Sequence, residues 1–157
     1  RTSRQAGQIA AGLWPIERLL TGNGAPIPPQ ILRAWAAAMP PSTAAETIAA
    51  RQEAVLSLLM ATGEPVTSAD WLPVMGRTAP AGSGALLAPH LWNGLVLAAK
   101  GGRASEAAVL SLVAIGENGP AHASIPTLQH VIETLRAAGR EKDARALGVE
   151  ALLALGL

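Results

Sequence analysis

The stretch SIPTLQHVIETLRAAGREKDARALGVEALLALGL, Ser124 to Leu157, decides the fold. Leu128, Val131, Ile132, Leu135 and Ala138 recur at i, i+3, i+4, i+7 and i+10, which makes one apolar stripe along a helix. Gln129, Glu133 and Arg136 lie off that stripe and can stay in water. Pro126 suits a first helical turn, where a missing N–H costs nothing, and Ser124 can cap it. Gly139 supplies a left-handed residue to end the helix. Glu141 and Arg145 form an i, i+4 pair that opens a second helix. Ala144, Leu147, Gly148, Ala151 and Leu155 line that helix, and Val149, Leu152 and Leu153 widen the stripe. This predicts a second helix buried on more than one side, with Ala144, Gly148 and Ala151 allowing close approach.

The turn and second helix, GREKDARALGVEAL, resemble a tetratricopeptide (TPR) repeat on Gly139, Ala144, Leu147 and Ala151. The first helix places Leu128, Val131 and Leu135 where that family packs large residues. Ile132 stands where a small residue is usual, Gly148 where an aromatic is usual, and no terminal Pro follows. A fainter likeness covers Pro89–Gly116. The resemblance implies stacked antiparallel hairpins and recognition of a protein or peptide.

Composition agrees with helices. Half of the 157 residues are hydrophobic, and Ala and Leu, both strong helix formers, dominate that half. Phe and Tyr are absent and the aromatics are four Trp, a poor supply for strands. The expected fold is all-α: antiparallel helical hairpins stacked as a short α-solenoid or a compact helical bundle, in one domain over residues 1–157. The first residue, Arg1, suggests the C-terminal part of a longer chain. The Ala content suits a GC-rich bacterial gene.

Residues 2 to 13 form a helix whose apolar face holds Ile9, Leu13, Ile16 and Leu20, interrupted at Pro15. Thr21 to Pro29 is a loop. Gln30 to Met39 is a short helix carrying Trp35. Thr43 and Glu46 form a capping box for a longer helix to about Ala61, stopped by Gly63. Thr67 and Asp70 open a short helix around Trp71, and RTAPAGSGA, Arg77 to Ala85, is a loose connection. Leu86 to Lys100 and Ser105 to Ile115 form a hairpin around Gly101 and Gly102.

An internal repeat joins these pieces. Ala54-Val-Leu-Ser-Leu58 recurs as Ala108-Val-Leu-Ser-Leu112, each copy soon followed by Gly-Glu. Both copies lie in helices apolar almost all round, which predicts two sandwiched second helices in a stack of three hairpins.

Chemical motifs are scarce. Net charge is +1 without a basic block, which argues against nucleic-acid binding. Absence of Cys excludes disulfides, thiol catalysis and thiolate metal sites. No apolar run reaches transmembrane length uninterrupted. His90, His122 and His130 match no zinc spacing and read as surface or turn residues. Gly82-Ser83-Gly84 is not a nucleophile elbow, and no phosphate-binding loop occurs. Asp70, Glu64 and Glu117 read as helix-end carboxylates. Neither an enzyme nor a metal or cofactor is predicted.

Trp35 and Trp92 read as core residues, whereas Trp14 and Trp71 lie beside Pro at helix ends and suit an exposed binding hot spot, with Arg77 nearby. Arg33, Asn93, Gln129, Glu133 and Arg136 would line the binding face on the first helices of the hairpins. The expected function is a non-enzymatic protein-binding scaffold. The alternatives are a structural subunit of a larger assembly, with self-association through the same surface, and an enzyme or small-molecule-binding helical domain. The subunit reading expects an uncovered apolar patch, and Leu152, Leu153, Leu155 and Leu157 are its candidates.

Overall fold

The computed structural model describes residues 2–22, 24–76 and 86–156. Arg77 and the rest of the RTAPAGSGA stretch lie outside the described residues, as does Leu157. Among the described residues there are eight α-helices and no strand, so the fold is all-α. In chain order they are α1 (Thr2–Thr21), α2 (Pro29–Ala38), α3 (Ala45–Ala61), α4 (Ser68–Trp71), α5 (Pro89–Lys100), α6 (Ala104–Ile115), α7 (Ile125–Ala137) and α8 (Glu141–Ala154). A single 3-10 turn, Pro120–His122, precedes α7.

The terminal hairpin forms as its sequence predicts. The Ser124 hydroxyl accepts a hydrogen bond from the Thr127 N–H at 3.3 Å, and Pro126 sits in the first turn of α7. Gly139 takes φ +79° and lets the Arg140 N–H return to the Leu135 carbonyl at 2.8 Å. Arg145 pairs with Glu141 at 2.9 Å.

The distribution of burial within this hairpin is the reverse of the expectation. α7 is the helix covered on several sides, packing against α3, α5, α6 and α8. Beside the predicted Leu128, Val131, Ile132 and Leu135, it also buries Thr127, His130 and Thr134. α8 is one-sided: Ala144, Leu147, Gly148, Ala151 and Leu152 are buried, while Leu153 is exposed. α7 is central because, among the described helices, it packs closely on both the α5–α6 pair and the α3–α8 side.

Stacking is also not strictly serial. α5 and α6 pair closely, but α2 packs chiefly on α1, and α3 packs chiefly on α7. The first helix, α1, packs on the last, α8. An open stack keeps its terminal elements apart, so this contact closes the chain into a bundle.

A buried ion cluster holds that closure. Glu64, just past α3, meets Arg18 of α1 at 2.6 Å and Arg145 of α8 at 3.6 Å. Arg18 and Glu64 are almost fully buried. Arg18 also donates to the Ala25 carbonyl, and Arg145 donates to the Leu19 carbonyl at 3.0 Å. The Arg145 guanidinium lies against Gly22, whose φ of +46° is a conformation that favours glycine. Glu64 is therefore a core ion-pair partner and not a helix-dipole carboxylate.

Other local expectations divide. Asp70 caps α4, its Oδ2 accepting from the Thr67 N–H at 2.7 Å and from the Thr67 hydroxyl at 2.8 Å. The Thr43–Glu46 box does not form. Thr43 is held in a turn by its N–H to Pro40 carbonyl bond of 2.9 Å, and Ala44 occupies the N-cap position. Pro15 lies inside a continuous α1 and does not break it. It is fully buried, and this burial with Leu19 offsets the one backbone bond it removes. The predicted apolar face of α1 is turned over: Ile9, Leu13 and Leu20 are exposed, and Leu19 faces the core.

Two outcomes test this packing. Gly148 sits where an added Cβ would touch the Leu19 methyls at 3.5 Å and Thr62 Cγ2 at 3.6 Å, ordinary van der Waals contact. Gly148→Ala should therefore stabilise the protein by about 0.5–1 kcal/mol, the helix-interior difference between the residues, read by urea denaturation. Glu64→Gln should cost about 3–5 kcal/mol in the same assay, because it leaves two arginines sharing a buried site without their anion.

Candidate functional site

α6 is built inside out. Ala104, Ala107, Ser111 and Ala114 recur at i, i+3, i+7 and i+10 and form a stripe of small residues. Ala107 and Ser111 are buried, with the Ser111 hydroxyl donating to the Ala107 carbonyl at 2.7 Å. This narrow face lets α6 pack against α5 and α7. The larger residues Val109, Leu112 and Val113, at i, i+3 and i+4, point to solvent and are 60%, 72% and 55% exposed. Leu110 alone among the large central residues packs sideways, meeting the α5 backbone at Gly94.

The two AVLSL copies thus have opposite environments. In α3, Val55 and Leu58 are fully buried, and only Met60 among the following residues reaches solvent. In α6, the equivalent Val109 and Leu112 are uncovered. The expectation of two sandwiched helices holds for α3 and fails for α6. The cause is position: α7 covers the copy in α3, and nothing described lies outside the copy in α6. Single exposed apolar residues are ordinary, but three adjacent ones on one helix form a patch.

The ends of α6 carry opposite charges. Lys100 and Arg103 are exposed at its start and Glu117 at its finish. Arg103 donates to Glu106 at 2.5 Å, and this hydrogen bond holds the Glu106 carboxyl below its ordinary pKa and raises that of Arg103.

Trp92 lies on the neighbouring α5. It was expected in the core and is instead 40% exposed. One face of its indole is covered by His130 of α7, with ring centroids 3.6 Å apart and planes within 2°. His130 Nε2 is 3.2 Å from the Trp92 carbonyl. A carbonyl only accepts, so Nε2 carries the proton. His130 is buried, against its reading as a surface residue, and it locks α5 onto α7. His90 is exposed, and His122 is exposed with Nδ1 3.1 Å from the Asn118 carbonyl.

The sequence-predicted binding residues do not gather on one surface. Trp14 and Trp71 are half-buried against the core, on α1 and α4. Arg33 is exposed on α2 and Asn93 on α5. Gln129 donates to Glu133 at 3.0 Å on the partly open side of α7. The Arg136 guanidinium lies over Gly63. Arg77 is outside the described residues. Of the terminal leucines, Leu152 is buried, Leu155 half-buried and Leu153 exposed.

A cleft of about 260 Å³ opens beside Trp14, lined by Glu17, Thr21, Pro26, Pro28 and Ile31. It lies below the roughly 300–1,000 Å³ of small-molecule sites, and Arg18 at its wall already serves Glu64 and Ala25. Among the described residues no group of three or more His, Asp or Glu could hold a metal ion. No helix among them is long and apolar enough to cross a membrane. No known protein family, curated protein or solved structure matches the chain.

The α6 residues were missed because an all-apolar helix has no preferred face in the sequence. The spacing of Ala104, Ala107, Ser111 and Ala114 was the available signal, since close packing selects the small side. The two AVLSL copies supply the check. Leu58→Glu should abolish folding, whereas Leu112→Glu should change stability by less than about 0.5 kcal/mol, by circular dichroism and urea denaturation.

Proposed function

We propose that this chain is a non-enzymatic protein-interaction module built from TPR-like helical hairpins, and that α6 is its docking face. The observation that carries the reading is the outward stripe of Val109, Leu112 and Val113 on a helix whose inward side is small. Water gains nothing by contact with such a stripe, and a partner's apolar surface would cover it favourably at roughly 25 cal/mol per Å². The TPR-like reading is supported by burial of Ala144, Leu147 and Ala151 in α8 against the large residues of α7. Docking here uses the outer side of a second helix, not a groove lined by first helices, because α7 is itself enclosed.

A second reading, a structural subunit of a larger assembly, draws on the same stripe. Its apolar character, without an exposed cluster of Tyr or Arg anchors on α6, fits lasting attachment as well as exchangeable recognition. The two readings differ in dissociation rate.

The chain used as bait in lysate, with mass-spectrometric readout, should capture a protein stoichiometrically. Leu112→Glu should abolish that capture and Leu153→Glu, an exposed leucine on α8, should preserve it. The Trp14→Ala, Trp71→Ala bait run beside them should also keep its partner. Capture that survives Leu112→Glu and fails with the Trp variant would move the docking face to the tryptophans.

A further inference from the structure

We infer that the α6 face is self-complementary and pairs with α6 of a second copy of this chain in antiparallel, two-fold fashion. The inference rests on the reading of α6 as a protein-docking surface and names its occupant. Three features carry it.

The first is the order of sizes along the stripe. One face of α6 presents Ser105, Val109 and Leu112 in turn, at i, i+4 and i+7, and Gly116 follows as the cap that ends the helix at φ +77°. This is the spacing of a helix–helix seam. Antiparallel pairing about its centre sets Val109 against Leu112 of the other copy, and Ser105 against Gly116. Large residues then meet in the middle and small residues at both ends, so the helices can approach along the whole seam. Val113 falls beside Ala108 of the other copy, again a large residue against a small one.

The second is charge. Antiparallel pairing carries Glu117, at the acidic end, to the end of the other copy where Lys100 and the Arg103–Glu106 ion pair together leave a net positive charge, and symmetry makes this contact twice. Parallel pairing would set Glu117 on Glu117 and Arg103 on Arg103, which is repulsive. The pattern therefore selects the orientation that a two-fold axis requires. A net charge of +1 leaves little long-range repulsion between copies.

The third is the contrast with the other uncovered stripe. Ile9, Leu13, Ile16 and Leu20 on α1 also follow seam spacing, with Ile16 half-buried and the others exposed. The inward side of α1, however, carries Leu19 and Pro15, so its best apolar surface is already spent on the core. In α6 the outward stripe is Val109, Leu112 and Val113, while Leu110 and Ile115 are half-buried and Ala107 and Ser111 make the inner contact.

Sedimentation equilibrium of the full chain tests the pairing. The wild type should be a dimer at micromolar concentration. Leu112→Glu should raise the dissociation constant roughly a hundredfold or more while circular dichroism stays native, and Leu13→Glu should leave it unchanged. Arg103→Glu and Glu117→Lys should each weaken pairing roughly tenfold, and the two together in one chain should restore it, because each new charge meets its opposite across the two-fold axis. A double variant no better than the single ones overturns the antiparallel register. A wild type that stays monomeric to about 200 µM overturns self-pairing, as does a dimer lost with Leu13→Glu but kept with Leu112→Glu. Failure of the docking reading itself would show separately, as lysate capture indifferent to Leu112→Glu.

Discussion

Glu64 ties together two segments that are far apart in the chain. Its carboxylate receives Arg18 from the first helix and lies within ion-pair range of Arg145 in the last. Buried ion pairs often contribute little net stability, because desolvating the charges offsets their attraction. Their effect on alternatives is larger. If α1 and α8 separated, as in an open stack, Glu64 would lose the arginines that justify its burial. Arg145 extends the constraint by binding the Leu19 carbonyl and filling the space beside Gly22. The end of α1, the turn after α3 and the start of α8 are thereby held in one arrangement, and the chain closes.

Closure explains why α7 is the core helix. With α1 and α8 together on one side and α5 and α6 on the other, α7 is the element both groups share. Its polar residues are accommodated accordingly. Thr127 bonds to the Ser124 hydroxyl at 2.9 Å, and His130 finds the Trp92 carbonyl and ring. The stack and the hydrogen bond fix α5 against α7 through contacts other than apolar burial. Aromatic stacking of this kind adds about 0.5–1.5 kcal/mol beyond area.

The cost of closure appears at α6. Among the described residues no element covers the outer side of that helix, although its AVLSL segment is identical to the buried copy in α3. Ala107 and Ser111 satisfy the inner contact, and the valines and leucine that could have formed a second core layer face water. The docking role proposed for this chain draws on this exposed stripe and not on any sequence motif. Exposed Trp residues were the natural guide in the sequence, yet Trp14 and Trp71 are drawn half into the core and Trp92 is stacked under His130.

The sequence by itself determined what depends on neighbours within one or two turns. The helical class, the α7–α8 turn at Gly139, the Ser124 cap, the Asp70 cap, the Glu141–Arg145 pair and the burial of the second half of α3 apart from Met60 were all legible. Each rests on periodicity, a positive φ or a short-range hydrogen bond. Tertiary structure decided what local pattern leaves open. An all-apolar helix has almost no amphipathic asymmetry, so α3 and α6 look alike until their neighbours are known. Periodicity finds the stripe of Ile9, Leu13, Ile16 and Leu20 in α1 but not the direction it faces, because the buried arginine on the other side has its partner 46 residues away. The pairing of Arg18 with Glu64, the stacking of His130 on Trp92 and the exposure of α6 all belong to contacts between distant segments, which spacing along the chain does not encode.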